Sequence, residues 1–292
     1  MKRTLITLLL IIGLLVGCDW LAGIVGNRLL RSLPPAGTPE ADCRQALMEA
    51  APQVLLLGSS RTKHEYVPRI IADSLHMSVY NAGMDGNGMN YSMVVLESVL
   101  ERTTPRLVVL DVLDAMMNDQ WVTCVDQWDC YYGVNAPATR YIDTHATWQK
   151  RLKMHSNLYR LNGVSTWMAK AYALGASEHL DGYTPLVGTM PGIKHKRYRG
   201  FDVDSTELAC LDHIVALCRD KGIALRVFMS PNYEHNLDFN AWLAQYCRAH
   251  DVAFADFTTA FDGHTELFVE PSHLNEQGAE RYTRLIAGLL LQ

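Results

Sequence analysis

Val54-Leu55-Leu56-Leu57-Gly58-Ser59-Ser60-Arg61 is an unbroken apolar run that stops at a glycine and two serines. Four aliphatic side chains with no polar alternation describe a strand buried on both faces, as in a parallel sheet covered by helices. The pattern recurs. Ser78-Val79-Tyr80 stops at Asn81, Leu107-Val108-Val109-Leu110 at Asp111, Ala224 to Met229 at Ser230-Pro231, and Val252 to Ala255 at Asp256. Helical periodicity fills the gaps over Val67–Leu75, Met89–Glu101, Thr206–Lys221 (closed by Gly222), Asp238–His250 and Asn275–Leu291. Strand alternating with helix predicts the α/β class: a three-layer α/β/α domain on an open, parallel, five-stranded, flavodoxin-like sheet.

Residues 115–204 break the rhythm and read as a long insertion after the third strand. Short helices are expected near Ala146–Lys153 and Val164–Leu174, with turns at Asp181-Gly182 and Met190-Pro191-Gly192. The insertion leaves the carboxyl end of a strand, where open α/β sheets bind ligands. It reads as a substrate wall or lid, or as packing on the side of the domain. Trp121, Trp128, Tyr131, Tyr132, Trp148 and Trp167 suit sugar stacking or ordinary packing.

With 49% apolar and 20% charged residues among 292, the composition is that of a globular protein. It excludes a disordered tail, a collagen-like fibre, a coiled coil and a polytopic transporter. Basic residues number 26 against 31 acidic, a net charge of −5, so no basic excess exists to neutralise nucleic-acid phosphates.

The chain opens Met1-Lys2-Arg3 and then carries no charge from Thr4 to Cys18. That is a basic n-region followed by an apolar h-region. Leu15-Val16-Gly17-Cys18 matches a bacterial lipobox, with Cys18 as the acylated residue. The alternative is an uncleaved anchor, since Asp19 is the single charge between Thr4 and Asn27, a run long enough to span a bilayer. Either reading leaves Lys2 and Arg3 cytoplasmic and sends residues after about 30 across the inner membrane, to face the periplasm or the exterior. The expected organisation is a lipoprotein signal or membrane anchor over 1–30, a Pro-rich linker over 31–40 and the α/β domain over 41–292. Outside the cytoplasm, Cys124 and Cys130 could close a short loop. Cys210 and Cys218 read as small buried hydrophobes. No CxxC and no Cys/His cluster of zinc spacing appears, so no metal is expected.

Strand ends of a doubly wound sheet converge on one crevice. Gly58-Ser59-Ser60-Arg61, Asn81-Ala82-Gly83-Met84-Asp85-Gly86 and Glu270-Pro271-Ser272-His273-Leu274-Asn275 should therefore meet. These are parts for nucleophilic acyl transfer. A serine hydroxyl needs a histidine to take its proton, the histidine needs a carboxylate, and the oxyanion needs backbone N–H donors. The serine turn offers the candidate nucleophile, although Ser60 also suits a helix cap. His273 is the candidate base. Glu270 is the candidate acid, with a backbone carbonyl or Asp256 as alternatives. Arg61 either grips a substrate carboxylate or phosphate, or braces the loops against Asp85 or Asp111. Asn81 lies at the same strand end as a candidate substrate contact.

In order and spacing these blocks resemble the SGNH/GDSL hydrolase superfamily. The resemblance implies Ser60 as nucleophile with Ser59 at the family's usual Asp position. It implies Ser60 and Gly83 N–H groups as oxyanion donors, and His273 as base. Glu270 stands where the family has Asp. The family's third block supplies an Asn, but this chain reads Asp111-Val112-Leu113-Asp114, and its nearest candidate is Asn118. The Gly-Ser-Ser-Arg form is similar to envelope-facing branches that remodel surface glycans. The stretch from Gly58 to Gly86 is also similar to membrane-anchored Bacteroides-type members. The implied function is a membrane-tethered serine esterase of the bacterial envelope that acts on O-acyl esters of a surface glycan without a cofactor. The same triad would serve an O-acyltransferase. The Glu at the acid position and the missing Asn fit an inactive glycan-binding or assembly protein.

Overall fold

A computed structural model describes residues 2–34, 38–119, 126–175, 181–189, 192 and 194–291. They fall into two compact units. One combines Met1–Arg44 with Val125–Glu178, the other Gln45–Cys124 with His179–Gln292.

The second unit holds the sheet. Its strands are β1 (Val54–Leu57), β2 (Val79–Asn81), β3 (Leu107–Asp111), β4 (Lys196–Tyr198), β5 (Ala224–Met229), β6 (Glu234–Asn236), β7 (Ala253–Asp256), β8 (Phe268–Glu270) and β9 (His273–Leu274). Five of them form an all-parallel sheet of order β2-β1-β3-β5-β7. This is the expected flavodoxin-like order, with its switch point between β1 and β3. Alternation along the strands gives each face its own core. Val54, Leu56 and Val109 join Tyr66, Ile71, Phe268, Tyr282 and Ile286 in one buried cluster, served by the helices Pro68–Leu75 and Glu276–Leu290. Leu55, Leu57, Val108 and Leu110 are equally buried and face the other way. On the opposite side the helices Met89–Leu100 and Ser205–Lys221 pack on each other, and Asn90 N–H donates to Glu207 at 2.8 Å. Asp204 accepts from the Thr206 and Glu207 N–H groups to cap the second of these, and Gly222 closes it in the left-handed region.

Two small pairings were not expected. β4 and β6 run parallel, with Arg197 opposite His235. β8 and β9 form an antiparallel hairpin, with Glu270 opposite His273. Neither carries the apolar alternation that marks a strand in sequence.

The first unit is helical. The helix Lys2–Arg31 is joined by the helices Ala136–His145, Trp148–Met154, Asn157–Asn162 and Ser165–Leu174. Residues 2–18 of the first helix are exposed, whereas Gly23, Gly26 and Leu30 are buried. Asp19 crowns the helix Asn157–Asn162: its carboxylate accepts from Ser156 Oγ, from the Asn157 and Leu158 N–H groups and from the Asn157 amide. Side chains are small where the helices meet, since a Cβ at Gly23 would sit 2.6 Å from Asn157 and one at Gly26 2.4 Å from Leu161. Trp128 and Tyr131 are fully buried, so both are packing residues and neither is available to a sugar ring. Trp148 is exposed. Trp121 and the Cys124 half of the suggested Cys124–Cys130 loop lie outside the described residues. Cys210 and Cys218 are buried and unbridged, as expected.

Candidate active site

β1 ends at Gly58, whose φ of +145° only glycine adopts readily, and a Cβ there would lie 2.1 Å from Thr62 Oγ1. The turn throws the chain straight into the short helix Ser60–Glu65, and Thr62 Oγ1 ties back to the Leu57 carbonyl at 3.0 Å. Ser60 is the first residue of that helix, where N–H groups have no partner within the helix. No side-chain cap is made at its start, so the capping role open to a serine here is not used.

Ser60 Oγ lies 2.7 Å from His273 Nε2. The other ring nitrogen, Nδ1, is hydrogen bonded to Glu270 Oε1, which also accepts from Ser272 Oγ at 2.7 Å. A carboxylate only accepts, so Nδ1 carries the proton and Nε2 is left as the acceptor facing Ser60. Burial raises the Glu270 pKa, but the hydrogen bonds from His273 and Ser272 outweigh it and hold the carboxyl down at about 2. The two-residue turn Pro271-Ser272 of the β8–β9 hairpin sets Glu270 directly across from His273. Glu65 joins hairpin to helix: its Oε1 accepts from Leu274 N–H at 3.3 Å, and its carbonyl accepts from Thr283 Oγ1 at 3.0 Å. The side chains of His273 and Glu270 are 23% and 41% exposed, so the line opens to solvent.

The remaining candidates fall elsewhere. Asp256 accepts from the N–H and hydroxyl of Thr258 and from Asn240, away from His273, and does not serve as the acid. Asn81, expected as a substrate contact, is buried and fully engaged in bracing. Its amide donates to the Thr62 and Tyr66 carbonyls at 2.6 and 2.9 Å, and its Oδ1 accepts from Gly83 N–H at 2.9 Å. The Gly83 N–H is thereby committed to Asn81 instead of facing an oxyanion. What requires glycine at 83 is close packing, because a Cβ would lie 2.3 Å from the Lys63 nitrogen. Ser60 N–H is unaffected by this.

Arg61 is only 6% exposed and belongs to a buried network, not to the substrate crevice. Its charge acts on Asp111 and Glu65. Burial pushes both carboxyls upward and Arg61 pulls them back. Asp111 Oδ2 also accepts from Tyr66 Oη at 2.6 Å and from Ser230 N–H at 3.0 Å, which fixes the ends of β3 and β5. Of the two bracing partners expected for Arg61, its charge acts on Asp111. Asp85 pairs with Lys63 and His64 instead. Burial raises the Asp85 pKa, while the His64 and Lys63 contacts bring it to about 2.

His64 borders the site. Its ring stands edge-on to His273 with centroids 5.9 Å apart. Its Nδ1 lies 2.6 Å from the Thr184 carbonyl and its Nε2 2.9 Å from Asp85 Oδ1. Both partners are oxygen acceptors, which holds the ring in place between them. Thr184 belongs to the returning end of the insertion, which runs along the site as a wall. Asp181 accepts from Asn81 N–H, Thr184 N–H donates to the Lys63 carbonyl, Leu186 accepts from Glu276 N–H, and Gly188 accepts from the Asn275 amide. Gly182 makes this approach possible, since its Cβ would fall 1.8 Å from the Asn81 carbonyl oxygen.

No family model matches the chain, and no curated protein matches it. Among solved structures it is similar to a protein from Desulfitobacterium hafniense DCB-2 assigned to the G-D-S-L lipolytic family. The identity is 11%, the TM-score 0.41, and the likeness covers 81% of this chain and 96% of that one. It is also similar to a protein from Bacteroides fragilis NCTC 9343 assigned as an acylhydrolase. There the identity is 11%, the TM-score 0.43, and the coverage 86% of this chain and 95% of that one.

Proposed function

We propose that this chain is a membrane-tethered serine esterase of the bacterial envelope, acting on O-acyl esters of a surface glycan. One observation carries the reading: the Ser60–His273–Glu270 line, in which Nε2 faces the hydroxyl and Nδ1 faces the carboxylate. As Ser60 Oγ attacks the acyl carbon, its proton passes to His273 Nε2. The Ser60 N–H, in the first turn of its helix, faces the developing oxyanion. The tetrahedral species collapses, the C–O bond to the alcohol breaks, and His273 returns the proton to that leaving oxygen. Water then repeats the sequence on the acyl-enzyme, regenerating Ser60 and releasing the acid. Glu270 stays ionised and stabilises the imidazolium in both halves. The partial exposure of His273 and Glu270 suits an ester borne on a large substrate. The glycan class follows from the Gly58-Ser59-Ser60-Arg61 resemblance. The long, exposed, apolar first helix supplies the tether.

One observation favours a second reading, a glycan-binding or assembly protein without turnover. The Gly83 N–H is bonded to Asn81, which leaves the oxyanion with fewer donors than the family arrangement. The experiment that decides is fluorophosphonate labelling of the full chain, beside Ser60→Ala and His273→Ala, with hydrolysis of a short-chain aryl ester measured in parallel. Labelling and turnover in the parent alone support the esterase. Glycan binding that survives Ser60→Ala, with no turnover in the parent, supports the second reading. Acyl transfer to added glycan in place of hydrolysis would make the same triad a transferase.

A further inference from the structure

We propose that His195, His235 and Asp262 form a binding site for a divalent metal ion of the zinc class. Three segments far apart in sequence bring them together: the residue before β4, the centre of β6, and the loop after β7. One ligand atom from each lies within 4.8 Å of the others. His195 Nδ1 is 3.6 Å from Asp262 Oδ1, and His235 Nε2 is 4.0 Å from that same oxygen. Tetrahedral coordination at zinc bond lengths sets neighbouring ligand atoms about 3.3 Å apart. Closing the observed separations, which reach 4.8 Å at most, therefore takes side-chain movements of roughly 0.3–1.5 Å. Two imidazoles and a carboxylate suit zinc and neighbouring first-row ions over magnesium or calcium, which prefer all-oxygen sites. Among the described residues, the only ion-pair partners of Asp262 are these two imidazoles.

The surroundings hold the ligands in place. His195 stacks on Tyr233 with centroids 4.3 Å apart. His235 is buried, and its Nε2 is hydrogen bonded to the Asn232 carbonyl at 2.6 Å. Binding through Nε2 displaces that contact and leaves the Asn232 carbonyl beside the ion. The bound ion clasps the returning insertion to the loop after β7. It also stiffens Tyr233, whose N–H donates to the Pro271 carbonyl in the turn between Glu270 and His273. The site stands apart from the Ser60 line, and its existence does not depend on esterase activity.

The test uses the full chain in detergent, stripped with a chelator, with any purification tag removed, and titrated with zinc chloride by calorimetry. One ion per chain is expected. His195→Gln and Asp262→Asn, both at partly exposed positions, should each weaken binding at least about tenfold. His264→Gln, at a histidine paired with Glu266, should not. Cobalt binding should give a visible absorption band that both ligand variants lose. No binding by the parent, or unchanged affinity in both ligand variants, would overturn the proposal.

Discussion

Glu270 and His273 face each other across a two-residue hairpin turn, and that pairing aims Nε2 at Ser60. Removing the carboxylate while keeping its shape should therefore matter more than shortening it. Glu270→Gln is expected to lower kcat by about 10²–10⁴-fold with little change in KM, by analogy with amide replacement of a triad acid. Glu270→Asp should retain more activity, because Ser272 and the hairpin still hold the ring. Equal losses in both would show that geometry matters more than charge.

Asn81→Ala removes three hydrogen bonds that join the end of β2 to the Ser60 helix. The expected cost is about 2–4 kcal/mol, from the usual value of buried hydrogen bonds and of the groups left unpaired. Urea unfolding should show a lower midpoint at unchanged slope. A variant as stable as the parent would remove Asn81 from the frame of the site.

Gly182→Ala should detach the wall beside the site without unfolding the sheet. The added Cβ meets the Asn81 carbonyl oxygen, and the φ of +86° already disfavours alanine. Hydrogen exchange is expected to speed up over residues 181–188 while β1, β3 and β5 stay protected. Unchanged exchange over 181–188 would mean that the segment does not depend on this glycine.

Glu207 predicts the sign of a pH effect. Burial raises its carboxyl from 4.5 to about 7, although Asn90 N–H and other donors oppose the shift. The folded state then binds the proton more tightly than the unfolded state. Stability from this group is fully present below pH 4.5 and is lost as pH rises through about 7. In Glu207→Gln that decline should be absent from the Tm-against-pH profile. Parallel profiles for parent and variant would contradict the shift.

The sheet could be read from the chain because burial on both faces leaves a plain mark: Val54–Leu57 and Leu107–Leu110 are aliphatic throughout. The Ser60 and His273 turns were legible because each stands beside a strong element, a strand end or a capped helix. The hairpin that positions His273 was not, since Glu270 and His273 are polar and each strand is only two or three residues long. The β4–β6 pair is hidden for the same reason, being made of charged and polar residues. Arg61 stood open between substrate and bracing because a sequence cannot show that Arg61, Glu65 and Asp111 are all buried. The roles of Asn81 and Gly83 turned on a single side-chain hydrogen bond, and pattern does not encode that.

The first helix changes character at Asp19. Before it, residues 2–18 are exposed; from it onward one face of the helix is built into its unit. The break falls one residue past Cys18, so lipoprotein processing and helix insertion would both leave the packed portion whole. A chain begun at Asp19 should melt at the same temperature as the full one, and a lower Tm would mean that residues 2–18 brace the fold. Asp19 is thus a joint: an acyl chain, a spanning helix or a solubilising tag placed before it would leave the packed portion undisturbed.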